Sequence, residues 1–256
     1  MSSTESFIED NQIVISKNAI SFKNLRNGGK IEKLFTLTLQ DAREQFKKTN
    51  FQKKYEEIGK AKSTEVEDYK MIPFAYMYYY MLAKNLRVPM PDELAEEYIN
   101  TFCVKNTDGT YKFKDKYLIS TTNLIFNKND LMGRIFRAYN SYNRELDLLL
   151  QLREKFKGKA VVKYDSVADL CCGVDLIVTT YNKTKPKEYG LASYVSTSRS
   201  SSYKYRKNTL RHDYSKLNMI DVIAHMGGPE KNIIQCGDVF TYESKVIDKL
   251  YKEILD

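Results

Sequence analysis

Residues 130–156 carry apolar side chains at steps of three and four, with Leu131, Ile135, Ala138, Tyr142, Leu149 and Leu152 forming one stripe. The pattern predicts a long helix with Asp130 as its N-cap and Gly158 as its terminator. A stripe of that length must lie against another layer, and the following sequence supplies one. VVKY, YGLASYVST, MIDVIAH and NIIQCGDVFTY each read as a strand, and VADLCCGVDLIVTT reads as a strand or a strand pair. ESKVIDKLYKEIL then gives an amphipathic terminal helix with Val246, Leu250 and Ile254 in register. This order predicts an α/β core over residues 121–256, a central mixed sheet flanked by helices.

The first 120 residues have a different texture, and we expect an N-terminal, mostly helical region there. Residues 11–38 suggest short strands and turns. Ala42, Phe46, Phe51, Tyr55 and Ile58 predict a helix near 40–60. The run MIPFAYMYYYMLAKN is apolar and rich in tyrosine, as expected of a core helix, and Pro91-Asp92 opens another. Asp108-Gly109 marks a hairpin turn.

Several function classes are excluded by counting. No window approaches 18 uninterrupted apolar residues, so no spanning helix is expected. MSSTESFIED lacks the basic-plus-apolar pattern of a leader, which implies a cytoplasmic protein. Two histidines, His212 and His225, cannot build a histidine-rich zinc site. Cys103, Cys171, Cys172 and Cys236 form no C-x-x-C pair and read as reduced, buried thiols. No glycine-rich phosphate loop occurs.

Charge points elsewhere. With 41 Lys+Arg against 33 Asp+Glu the formal charge is +8, and residues 199–216 (RSSSYKYRKNTLRHDYSK) concentrate it. Arg199, Lys204, Arg206, Lys207 and Arg211, with Tyr203 between them, suit phosphate contacts with some stacking. A solvated basic loop is the alternative reading of the same residues. Asp175 sits in the apolar run GVDLIV, where an inward carboxylate requires a partner or a metal. Asp169, in VADL, is a second carboxylate six positions earlier. Glu145 shares a helix face with Ala138, Tyr142 and Leu149. Carboxylates so placed are what a hard cation such as Mg²⁺ requires.

A helix with an acid (RAYNSYNRELDLL), the strand GVDLIV, the strand YGLASYV and a basic segment together resemble the PD-(D/E)xK nuclease superfamily over about half the chain. The resemblance implies a restriction-endonuclease-like fold and hydrolysis of phosphodiester bonds by a Mg²⁺- or Mn²⁺-activated water, as in a restriction or phage-defence endonuclease. Carried over, Glu145 and Asp175 hold the metal, with Asp169 as a further ligand. The family's second strand usually bears an acid or Gln, one residue, then Lys. Here that stretch is Leu191-Ala192-Ser193-Tyr194, so Lys204 or Lys207 is the candidate catalytic cation, with Glu188 nearby as an acid. DNA is the implied partner and RNA the alternative, and a palindromic target would call for a symmetric homodimer. Residues 1–120 would form a recognition element or groove wall. The rival reading is a catalytically eroded module of the same fold that binds nucleic acid or a protein without cleaving.

Overall fold

The structure, a computed structural model, describes residues 37–58, 74–114, 125–165, 168–169, 173–181, 186–196 and 217–255, with only the backbone of Lys54. It is mixed α/β and divides into two compact units. One comprises 18–143 with Cys236–Val239, and the other comprises 1–17, 144–235 and 240–256.

Within the first unit, α1 (Leu39–Lys47) begins at a Thr38 cap whose hydroxyl accepts from the Asp41 amide at 3.1 Å. The single helix expected near 40–60 is two: α2 (Gln52–Ile58) starts after a break at Thr49–Phe51. Its N-terminus is capped from far along the chain. The amides of Phe51 and Gln52 both donate to Asp238 Oδ2, at 2.7 and 2.9 Å. The neighbouring Gly237 has φ +63, and a Cβ there would lie 2.2 Å from the Phe46 carbonyl oxygen, so only glycine fits this approach.

The tyrosine-rich run forms α3 (Phe74–Asn85), and it is core as expected: Tyr78 and Tyr79 are fully buried. α4 (Pro91–Phe102) follows, with Tyr98 between Phe74 and Phe102 in edge-to-face contacts of 4.7 and 4.9 Å. The buried hydroxyls of Tyr78 and Tyr139 are satisfied. Tyr78 donates to Asn143 Oδ1 at 2.7 Å, and Tyr139 donates to the Pro89 carbonyl at 2.9 Å. β1 (Cys103–Lys105), β2 (Tyr111–Phe113) and β3 (Ile125–Phe126) form an antiparallel sheet, with the expected Asp108-Gly109 turn between β1 and β2. Cys103 is buried and unpaired by disulfide, and burial pushes its thiol up to about 12 despite Lys114.

The long helix α5 runs Lys128–Lys155, starting one residue after Asn127. Asp130 therefore lies in the first turn, where an acid favours the helix dipole, rather than at the cap. From Asn143 to Leu152 every residue is buried, polar ones included, so the helix is enclosed all round there and shows no single stripe. Gly158, at φ +78, ends the connection as expected.

The second unit contains the main sheet, β4 (Ala160–Lys163), β5 (Leu176–Thr180), β6 (Glu188–Val195) and β7 (Asn218–Ala224), in that spatial order. β4, β5 and β6 form an antiparallel meander, with Leu176 opposite Leu191. β6 and β7 are parallel, with Ser193 opposite Val222. Among its described residues VADLCCGVDLIVTT yields one strand, β5, and ahead of it the Gly173 amide donates to the Asp169 carbonyl at 2.9 Å while Gly173 takes φ +73. NIIQCGDVFTY, expected as one strand, is a hairpin of β8 (Ile233–Cys236) and β9 (Val239–Tyr242) turning at Gly237-Asp238. α6 (Ser244–Leu255) buries Ile247, Leu250 and Ile254. No helix among the described residues is long and apolar enough to cross a membrane.

Removing the Asp238 carboxylate leaves two helix-end amides unsatisfied. Asp238→Ala should cost about 0.5–2 kcal/mol, and Gly237→Ala more than about 1 kcal/mol because φ is positive. Urea unfolding of each variant measures both. Losses below a few tenths would show that this cap and turn are dispensable.

Candidate active site

Tyr242, the last residue of β9, is fully buried and organises a set of polar side chains. Its hydroxyl donates to the Val222 carbonyl on β7 at 2.7 Å. That uses its one proton, so Ser193 Oγ on β6, 2.9 Å away, donates to it. The Arg144 guanidinium also hydrogen-bonds this hydroxyl. Burial raises the Tyr242 pKa above its ordinary value, Arg144 and Ser193 act against the rise, and the Glu145 carboxylate adds to it. On the other side, the Tyr242 carbonyl accepts from Gln151 Nε2 at 3.0 Å, and the same nitrogen donates to buried Asp147 at 2.5 Å.

Asp175 joins the same cluster. It stands one residue before β5, and its amide still continues the ladder to the Leu191 carbonyl at 2.9 Å. Its carboxylate accepts from the Ser193 amide at 2.5 Å. The expectation that Asp175 lies within the strand is therefore shifted to its head, where the side chain is half-buried. Ser193 is the junction: its amide serves Asp175 and its hydroxyl serves Tyr242, which in turn feels Glu145. Asp175 thus reaches the Ser193–Tyr242 pair from the head of β5, while the Glu145 carboxylate on α5 contributes to the field at the Tyr242 hydroxyl.

The other candidates separate. Asp169 accepts from the Tyr164 hydroxyl at 2.7 Å. No group of three His, Cys, Asp or Glu side chains that could hold a metal occurs among the described residues, so Asp169 does not complete a triad with Glu145 and Asp175. Glu188 is buried at the other end of β6, where Thr179 donates to it at 3.3 Å. It stands four residues from Ala192, the position level with Asp175, or about 13 Å at strand rise. Arg199, Tyr203, Lys204, Arg206, Lys207 and Arg211 lie outside the described residues, as does His212. His225 faces Glu230 at 3.3 Å.

Sequence reasoning missed Arg144, Asp147, Gln151 and Tyr242 as site residues. A signal existed for three of them: Arg144, Asp147 and Gln151 border or interrupt the apolar run LDLLLQL, and buried charges require partners. Nothing local marked Tyr242, one of 20 tyrosines.

Set against known protein families, curated proteins and solved structures, the chain matches none.

Deleting the Tyr242 hydroxyl removes the partner of Ser193 Oγ, the donor to Val222 and an acceptor for Arg144 at once. Tyr242→Phe should lower stability by about 1–3 kcal/mol with little change in far-ultraviolet circular dichroism. Ser193→Ala, which keeps the amide bond to Asp175, should cost less. Equal losses for the two would assign the stabilisation to the Ser193–Tyr242 bond alone.

Proposed function

We propose that this chain is a Mg²⁺-dependent endonuclease of restriction or phage-defence type, built on a restriction-endonuclease-like core and acting on DNA. The observation that carries the reading is the Asp175 carboxylate held by the Ser193 amide, with the Ser193–Tyr242 pair beside it in the field of the buried Glu145. The order of elements supports it: a helix bearing one acid, a three-strand antiparallel meander with the second acid heading its middle strand, then a parallel fourth strand.

Two carboxylates are the donor chemistry that suits a hard cation. Mg²⁺ is commonly held by one or two carboxylates, with substrate phosphate and water filling the remaining positions, so two acids suffice. When bound, the ion would supply a polarised water and charge stabilisation at the phosphate. Glu145 and Asp175 would hold it. The Ser193 amide orients the Asp175 carboxylate, and Arg144 and Tyr242 fix the helix-borne half of the site. Lys204 and Lys207 are the proposed cations beside the scissile phosphate, and Arg199, Tyr203, Arg206 and Arg211 the proposed contacts to the strand. RNA is the alternative substrate, and a homodimer would follow from a symmetric target.

One observation favours a second reading, in which the core binds without cutting. Ser193 occupies the stretch where an acid or lysine is usual, and it already engages both the Asp175 carboxylate and Tyr242.

The two readings diverge on incubation with DNA and RNA substrates in Mg²⁺, Mn²⁺ or EDTA. The nuclease reading expects cutting in either metal and none in EDTA. Asp175→Asn and Glu145→Gln should each lower the rate by more than about 100-fold, beyond the roughly 10–100-fold cost of losing an outer partner of a ligand. Binding with no cutting in any metal would establish the second reading. Cutting unchanged in Asp175→Asn would end the assignment of the site.

A further inference from the structure

We propose that Arg153 closes the outer edge of the main sheet: released from the Val162 carbonyl, β4 would pair antiparallel with β4 of a second copy of this chain. The inference is independent of the proposed reaction.

Among the described residues β4 and β7 end the four-stranded sheet. A sheet edge leaves alternate main-chain groups unpaired, which is a template for a further strand. The Lys159 carbonyl accepts from the Tyr181 amide at 2.9 Å, and Val161 stands opposite Thr179. The main-chain groups of Val161 and Lys163 therefore face β5, and those of Ala160 and Val162 face outward. The end of α5 takes one from each. The Phe156 carbonyl accepts from the Ala160 amide, and Arg153 Nε donates to the Val162 carbonyl, both at 3.0 Å. The opposite edge is treated alike. The Ala224 carbonyl accepts from the Ser196 amide, so Ile223 and His225 turn outward from β7. Asn232 Nδ2 donates to the Ile223 carbonyl at 2.7 Å, and its Oδ1 accepts from the His225 amide at 2.8 Å. At both edges a side chain thus occupies a carbonyl that a neighbouring strand would use.

The β4 edge is self-complementary in one register. Pairing about Val162 lets its amide and carbonyl exchange hydrogen bonds with the same groups of the copy. It also sets Val161 opposite Lys163 of the copy, whose aliphatic stem can cover it. Val161 is 41% exposed and so available for that contact. Pairing about Val161 would instead need the Ala160 amide, already held by Phe156, and would oppose Lys159 to Lys163. The favoured register therefore turns on the carbonyl that Arg153 holds. A symmetric pair of this kind closes on itself and stops at two copies.

Sedimentation equilibrium of the full chain over a wide concentration range tests this, with far-ultraviolet circular dichroism as the check on folding. Glutamine Nε2 stands as many bonds from Cα as arginine Nε does. Arg153→Gln therefore keeps the donor without the charge, whereas Arg153→Met puts a methyl group in its place. Arg153→Met should give a mass that rises with concentration toward about twice that of the natural chain. The natural chain and Arg153→Gln should show no such rise. Arg153→Ala, which also lacks the donor, carries the same expectation as Arg153→Met and replaces it if that variant does not fold. In the associating variant, Val161→Lys should abolish the rise, because the new ammonium opposes Lys163 of the copy, and Val161→Glu should strengthen it. A constant mass in Arg153→Met and Arg153→Ala, an equal rise in Arg153→Gln, or a rise indifferent to the charge at position 161 would each overturn the proposal.

Discussion

The Tyr242 hydroxyl is the contact on which the second unit depends. A buried phenol must have its polar atom satisfied, and here one oxygen serves three neighbours: the Val222 carbonyl, Ser193 Oγ and the Arg144 guanidinium. These come from β7, β6 and α5, so one atom sets the spacing of two parallel strands and a helix. The same residue's carbonyl holds Gln151, and through it Asp147. Geometry this constrained is what a pair of carboxylates needs if they are to share a small ligand, because ligating groups misplaced by about an ångström no longer hold it.

The parts of this fold legible in the sequence were those set by periodicity. The long helix, the β6 and β7 strands and the terminal helix each carry enough apolar repeats to declare their type. What escaped was set by contacts between distant residues. The break between α1 and α2 is fixed by Asp238, 186 positions from Gln52, and no local pattern encodes that cap. The β8–β9 hairpin was hidden because a two-residue turn, Gly237-Asp238, interrupts an otherwise continuous run of strand formers. The enclosure of α5 from Asn143 to Leu152 was also invisible to a one-stripe reading, since a helix buried all round has no solvent face to set against an apolar one.

The candidate site divides in the same way. Glu145 and Asp175 were legible because a carboxylate in an apolar run is costly without a partner. The hydrogen-bonded pair beside Asp175 was not, because Ser193 and Tyr242 are 49 positions apart and ordinary in their own sequence contexts. Asp169 and Glu188 show the limit of the argument from proximity in sequence. Asp169 is six positions from Asp175, yet its hydroxyl donor is Tyr164, five positions back along the chain. Glu188 shares a strand with Ser193 but serves the opposite end of the sheet. Alternation and register, more than distance along the chain, decide which acids can cooperate.

Ser193 suits its buried place on β6 better than a charged residue would. A lysine there would need solvent or an anion for its ammonium, and residue 193 is buried. With Arg144 already at the Tyr242 hydroxyl, a second buried cation would add a desolvation cost that a small hydroxyl does not carry. The serine hydroxyl still satisfies Tyr242, while the backbone amide, which no substitution other than proline removes, orients Asp175.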